Sequence, residues 1–310
     1  MSDYNFSIEA VNVNKTYDKN KSKTNALTNF NIEIPKGSIF GLLGPNGAGK
    51  STFINILGGL VKKNSGTIKI CGIDTELNAK KSRQKIGIVP QELNIDPFFT
   101  PIELLELQAG LYGVNKKDRK SEEILFNVGL LDQKNAYART LSGGMRRRLL
   151  VAKALVHNPE IVILDEPTAG VDVDLRNSLW KYIKELNRKG TTICLTTHYL
   201  EEAENLCNFI TILNKGKIIK NDTKKNILNL IGNKTINFTL DNKYSVPQSL
   251  KKFNAKIDSN NNLILNYDKK FTELKEIIGI LNKEKIIFKE INTYESDLED
   301  VFLDLIKKNN

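Results

Sequence analysis

Three stretches of this sequence combine residue types that could do chemistry. The first is Gly44–Pro45–Asn46–Gly47–Ala48–Gly49–Lys50–Ser51, which fits G-x-x-x-x-G-K-[ST] in full. Glycines let the backbone curl until its N–H groups face inward, where they and the positive end of a following helix bind phosphate. Lys50 would reach the outer phosphates and the Ser51 hydroxyl would take a place on Mg²⁺, with Thr52 beside it. A chance glycine turn before Lys and Ser is the plain alternative. An apolar strand before the turn and helical spacing after it weigh against that alternative. The second stretch, Ile161–Val162–Ile163–Leu164–Asp165–Glu166, delivers two acids to the end of an apolar run. Asp165 could hold Mg²⁺ through water, and Glu166 could orient or deprotonate an attacking water. Taken singly, two solvated acids capping a strand would serve as well. The third is Leu141–Ser142–Gly143–Gly144–Met145, a hydroxyl and a flexible backbone opening a helix, a second place suited to an anion.

These residues need elements to hold them. Phe6–Val13, Asn31–Pro35, Ser38–Leu43 and Gly66–Gly72 are rich in Ile, Val and Phe and are predicted as strands. The run ending in Asp165 and the run "TTICLTTH" have the continuous apolar character of buried parallel strands. Between them, Leu175, Leu179, Ile183 and Leu186 recur at helical spacing, and Gly190 marks the stop. Strand, helix, strand at this length is a crossover unit, so the core is expected to be α/β with a parallel sheet. From Thr100 to about Leu155 the signals are mainly helical, with turns at Gly113 and Gly129, and predict a helical subdomain set into the core over about residues 93–155. After about Leu230 the texture changes to a small α+β appendage: strands at Thr235–Leu240, Asn262–Tyr267 and Lys285–Ile291, and helices over "FTELKEIIGILNKE" and "DLEDVFLDLIKK". The expected division is 1–230 and 231–310.

Composition bounds the function classes. The 310 residues are 40% hydrophobic, enough for a core, and carry a net charge of +10. Lys and Asn are spread throughout with no block of five or six like charges, so the basic balance reads as a solvated surface rather than a nucleic-acid footprint. No run approaches the roughly 18 apolar residues of a membrane span, and the start lacks an apolar leader. Three cysteines, an odd number, are widely spaced without a metal-like pattern; Cys194, inside an apolar run, reads as a buried thiol, and the chain as cytosolic and reduced.

Taken in order, Gly44–Ser51, Gln91, Leu141–Met145, Ile161–Glu166, Asp172 and His198 resemble the ATP-binding cassette (ABC) family over roughly Phe6 to Lys220. The resemblance implies a P-loop NTPase core with an N-terminal antiparallel β subdomain, and ATP and Mg²⁺ as ligands. It implies two chains meeting head to tail, so that Ser142, Gly143 and Gly144 of one cover the γ-phosphate held by Gly44–Thr52 of the other. Tyr17 matches the aromatic that stacks on adenine, and Gln91 the loop glutamine that senses Mg²⁺. Asp172 matches the loop crossing the dimer seam, and His198 the histidine at the γ-phosphate. Mg²⁺ would then be held by Ser51, Gln91 and Asp165, and catalysis would fall to Glu166 and His198. His157 is expected at the surface near a helix end. Met145 departs from the family's usual Gln. "LSGGMRRRL", "ILDEPTAGVD" and "ESDLEDVFLDL" are similar to exporter ATPases of the daunorubicin-resistance type, and "QELNIDPFFTPIELLELQAGLYGV" to a bacterial subgroup of drug or polysaccharide exporters (the YadG-like ATPases). That likeness implies an ATPase peripheral on the inner face of the cell membrane, driving a separate multi-span permease. A soluble cassette in a non-transport assembly is the alternative. The appendage would be either regulatory or dimer-stabilising.

Overall fold

The N-terminal ladder is longer than its apolar residues suggest. In the computed structural model, which describes residues 4–19, 22–168, 170–230, 233–268, 271–295 and 297–309, β1 (Phe6–Lys19) and β2 (Ser22–Pro35) pair antiparallel from Phe6 opposite Pro35 out to Tyr17 opposite Thr24. The apolar pattern predicts strands only over Phe6–Val13 and Asn31–Pro35, and the ladder runs on through the Asn- and Lys-bearing residues beyond them. Those asparagines are used inside the ladder. Asn12 and Asn29 take left-handed backbone (φ 51° and 44°) where the register slips. The Asn31 and Asn14 side chains accept the N–H groups of Asn12 and Asn29, each at 2.8 Å.

The chain continues through β3 (Ile39–Leu43), α1 (Lys50–Leu57), β4 (Ser65–Ile70), β5 (Ile73–Asp74), α2 (Ala79–Gln84) and β6 (Ile86–Val89). Three helices follow, α3 (Pro101–Leu111), α4 (Ser121–Asn127) and α5 (Gly143–Leu155). Thr100 and Glu103 cap α3 reciprocally, with Pro101 at its first position. The core resumes with β7 (Ile161–Asp165), α6 (Val173–Arg188), β8 (Thr192–Thr196), α7 (Leu200–Leu206), β9 (Phe209–Asn214) and β10 (Lys217–Thr223).

β2, β1, β4 and β5 form one antiparallel sheet in that order. The other sheet runs β10–β9–β3–β8–β7–β6 and is parallel except where β10 folds back on β9. Every residue of β3, β7 and β8 is buried, as expected of parallel strands covered on both faces. One apolar cluster takes Ile8, Phe30 and Ile68 from the first sheet, Phe40 and Ile163 from the second, and Phe53 and Leu57 from α1. The Phe30 and Phe53 rings lie 4.7 Å apart, so the helix that follows the glycine turn is clamped against the antiparallel sheet. All three cysteines are buried and none is in a disulfide, and burial pushes the Cys194 thiol up to about 12.

A second compact unit begins at Lys224. It comprises α8 (Lys224–Leu228), β11 (Asn233–Leu240), β12 (Lys256–Ile257), β13 (Asn262–Asp268), α9 (Leu274–Lys283), β14 (Phe288–Glu295) and α10 (Leu298–Lys308). Its antiparallel sheet has the order β12–β13–β11–β14, over a core of its own that includes Ile236, Phe238, Leu265, Ile277 and Leu281. The strand expected at Lys285–Ile291 lies further along, because Lys285 turns the chain out of α9 in left-handed backbone and pairing with β11 starts at Phe288. Among the described residues no helix is long and apolar enough to cross a membrane.

Candidate functional site: a phosphate cradle at the carboxyl ends of the parallel strands

The glycine turn leaves β3 at its carboxyl end, where open α/β sheets bind ligands. Two of its glycines are dictated by close approach. A Cβ on Gly44 would stand 2.6 Å from the Leu213 carbonyl oxygen. One on Gly49, whose φ is +112°, would stand 2.5 Å from that of Ala26. The turn is tied from outside by the Gly216 N–H, which donates to the Ala48 carbonyl at 2.9 Å. Gly49 opens α1 without a side-chain cap and with no acid in the first turn, leaving the positive end of the helix to an anion. Lys50 Nζ folds back over the turn and donates to the carbonyls of Gly44 (2.7 Å) and Pro45 (3.2 Å). Burial lowers the lysine's proton affinity, and the carboxylates of Glu166 and Asp165 work against that shift.

Asp165 ends β7 opposite Thr196, the last residue of β8. The Thr196 hydroxyl donates to Asp165 Oδ1. Burial pushes the Asp165 carboxyl up, with that hydrogen bond and the cations of Lys50 and Arg147 opposing and the Glu166 charge reinforcing. Glu166 sits in left-handed backbone (φ 49°), held there by its N–H donating to both the carbonyl and the hydroxyl of Thr196 at 3.1 and 3.2 Å. This turn aims its carboxylate between two loops. Gln91, just past β6, donates to Oε2 at 3.0 Å, and His198 Nδ1, just past β8, lies 3.4 Å from the same oxygen. β6 and β8 flank β7 in the sheet, so strand order alone brings Gln91, Glu166 and His198 together.

A cleft of about 270 Å³ is lined by Tyr17, the turn from Asn46 to Thr52, Gln91, Asp165 and Glu166, with His198 outside that lining and adjoining it through Glu166. Tyr17 is partly exposed, with Lys15 Nζ 4.8 Å from its ring centre. Gly44 and Pro45 stand behind the turn, offering their carbonyls to Lys50. Ser142, Gly143, Gly144 and Asp172 do not line this cleft. Ser142 caps α5, its hydroxyl accepting the Met145 N–H at 3.2 Å, and both it and Gly143 are exposed. Asp172 is exposed at the start of α6 and makes no side-chain cap. The sequence reading missed Thr24, Thr196 and Arg147. Thr24 joins the cleft through its pairing with Tyr17, and Thr196 through its register with Asp165. Neither register can be read from one strand. Arg147 is buried and donates to the Pro90 carbonyl at 2.9 Å, tying α5 to the segment before Gln91. Its signal was the triplet Arg146–Arg148, too polar a start for a helix whose inner face is packed. His157 is corrected. It is half-buried, stacked on Tyr112 with ring centres 3.7 Å apart, and its Nε2 lies 3.1 Å from the Ile86 carbonyl.

The donor set fits a nucleoside triphosphate with a divalent cation. An uncapped helix start and Lys50 offer positive charge to phosphate, Ser51 offers a hydroxyl, and burial of Asp165 is a cost that a cation beside it would offset. Comparison with known proteins points the same way. The model of the ABC transporter family matches residues 27–169. A linearmycin resistance ATP-binding protein of Bacillus subtilis is 41% identical over 74% of this chain and 73% of its own length. A daunorubicin resistance ATP-binding protein of Streptomyces coeruleorubidus is 31% identical over 97% and 95%. Among solved structures, the dimeric post-hydrolysis state of an ATP-binding cassette bound to ADP and Pi aligns with a TM-score of 0.65 at 31% identity, covering 70% of this chain and 98% of that one.

Proposed function

The chain belongs to the ABC transporter family, and from that premise we propose that it is the ATP-hydrolysing subunit of an exporter, working as a head-to-tail dimer on a separate membrane permease. In this reading Gly44–Thr52 cradles the phosphates, Tyr17 packs on the base, and Mg²⁺ is held by Ser51, Asp165 and Gln91. The cation would neutralise charge on the outer phosphates and orient them. Glu166 accepts a proton from the attacking water, and His198, beside the same carboxylate, holds the γ-phosphate end of the site. Attack requires the water to be fixed in line; the left-handed backbone at Glu166, bonded twice to Thr196, sets where the side chain starts, and the Gln91 amide holds its carboxylate.

The observation that carries the dimer is a separation. Lys50, Ser51, Gln91, Asp165 and Glu166 line one cleft, while Ser142, Gly143, Gly144 and Asp172 stand outside it. A second chain turned head to tail would bring its Ser142–Gly144 against the open side of that cleft. Its helix α5 would add a second positive helix end to the phosphates. Binding energy for ATP that exists only in the closed pair is what would drive a permease, since a ligand shifts an equilibrium only by its differential affinity. The relatives named for linearmycin and daunorubicin resistance support export; in this reading the chain works peripherally on the inner face of the cell membrane. ATP and Mg²⁺ added to the Glu166→Gln chain are expected to give a stable dimer by size exclusion with light scattering, with turnover lowered about 10²–10⁴-fold as for loss of a general base. Pulled down from detergent-solubilised native membranes, that variant is expected to bring a polytopic membrane protein with it. Near-normal turnover would remove Glu166 from its role, and recovery of soluble partners only would remove the exporter.

A further inference from the structure

Glu202, in α7, lies outside the cleft, yet its carboxylate is buried (8% exposed), a costly place for a charge without partners. Its partners come from three separate elements. The hydroxyl of Thr168, from the turn that follows Glu166, donates to Oε1 at 2.8 Å and to Oε2 at 2.9 Å. The hydroxyl of Thr197, from the turn after β8, donates to Oε2 at 3.1 Å, and Arg176 Nε of α6 stands 3.5 Å from Oε1. Both threonines are almost fully buried.

Each partner is committed in turn to the segment that carries it. The Thr168 carbonyl accepts the Val171 N–H at 3.1 Å, and the Arg176 N–H donates to the Asp172 carbonyl at 2.8 Å. The Thr197 hydroxyl accepts the Tyr199 N–H at 3.0 Å. The Arg176 guanidinium lies 5.1 Å from the centre of the Tyr199 ring, and that ring lies 4.0 Å from the ring of His198. Successive residues therefore serve opposite sides. Thr196 bonds to Asp165 and Glu166, Thr197 to Glu202, and His198 turns back toward Glu166.

We infer that Glu202 is a positioning residue for ATP hydrolysis, a buried carboxylate that joins the segment carrying Thr168, Val171 and Asp172 to the segment carrying Thr197, His198 and Tyr199 so that the two are set together. The inference rests on the reading above, in which Asp172 faces a second chain and His198 attends the phosphate. Docking of that chain on Asp172 is then felt at His198 through Thr168, Glu202 and Thr197, a route separate from that chain's own contact with the cleft. A carboxylate suits the task because charge-assisted hydrogen bonds from two hydroxyls are stronger than neutral ones, and either oxygen serves Thr168.

The test is steady-state ATP hydrolysis by the full chain with Mg²⁺, alongside nucleotide titration and thermal melting. Glu202→Ala is expected to lower kcat about tenfold or more with KM within about twofold, the pattern of a group felt only in the transition state. Glu202→Gln, whose amide can accept from Thr168 and donate to the Thr197 oxygen, is expected to restore most of that loss. Should the alanine variant fail to fold, Thr168→Val and Thr197→Val remove the donors while keeping the volume. Each is expected to lower kcat, and the double variant to be little worse than the poorer single one, because both break one link. A folded Glu202→Ala chain with unchanged kcat would overturn the inference. So would a rise in KM matching the fall in kcat with no rescue by Gln, or additive valine effects. Absence of Mg²⁺-dependent hydrolysis by the unmodified chain would instead strike the reading of the cleft itself, and the hub's role in turnover with it.

Discussion

Asp165 illustrates a residue whose site works against the stability of the empty protein. Burial raises its carboxyl above the ordinary aspartate range despite the Thr196 hydrogen bond and the cations of Lys50 and Arg147. A carboxyl whose folded pKa lies above its unfolded value costs nothing below the unfolded value, and costs progressively more as pH rises through the folded one. Asp165→Asn keeps an oxygen for the Thr196 hydroxyl and removes the charge. It is expected to stabilise the nucleotide-free chain at pH 7 by about 0.5–2 kcal/mol, the usual gain when a functional strain is relieved, with the gain vanishing near pH 3. Melting curves of both chains across pH check this. An unchanged or lowered melting temperature at pH 7 would mean that the pull of Lys50 and Arg147 outweighs desolvation.

At the scale of elements, the site is made by three parallel strands that stop together and a helix that starts beside them. β6, β7 and β8 release Gln91, Glu166 and His198 from adjacent strand ends, and β3 releases the turn that opens α1. The turn is shaped against its neighbours rather than by itself. At Gly49 an added methyl meets the Ala26 carbonyl and Leu27 side chain, in backbone that other residues rarely adopt. Gly49→Ala is therefore expected to cost about 1–3 kcal/mol of folding stability and to push the start of α1 off its setting. Nucleotide titration with denaturant melts tests it, and ATP affinity should fall along with stability. Gly47 offers a contrast, since its positive φ is the sole constraint and a Cβ there meets nothing within 4 Å.

At the scale of the molecule, two apolar clusters among the described residues draw on different parts of the chain. The buried members of the cluster around Phe30, Phe40 and Phe53 run from Ile8 to Leu213, and those of the cluster around Phe238 and Leu265 run from Ile236 to Ile286. The cleft is built entirely from residues before Thr223. A chain ending at Thr223 is accordingly expected to fold with a single cooperative melt and to retain ATP binding by titration. Loss of binding in a folded truncated chain would show that residues beyond Thr223 support the cleft.

The sequence alone determined the phosphate turn, the acid pair and the α/β rhythm around them. These are local: a turn needs its glycines, a buried parallel strand its apolar run, and an amphipathic helix its spacing, and each leaves its mark within a few residues. Family resemblance supplied Gln91 and His198, which carry no local mark. Their meeting at Glu166 was decided by strand order, since Gln91 and Glu166 are 75 residues apart in the chain and hydrogen-bond only because β6 lies beside β7. The same holds for the Asn-rich half of the N-terminal ladder, for Thr196 against Asp165, and for Arg147 reaching the Pro90 carbonyl. Glu202 shows the limit most plainly. In sequence it is one acid among several on a short helix, and only folding the distant Thr168 and Arg176 segments onto it, beside its near neighbour Thr197, turns a solvent-loving side chain into a buried junction.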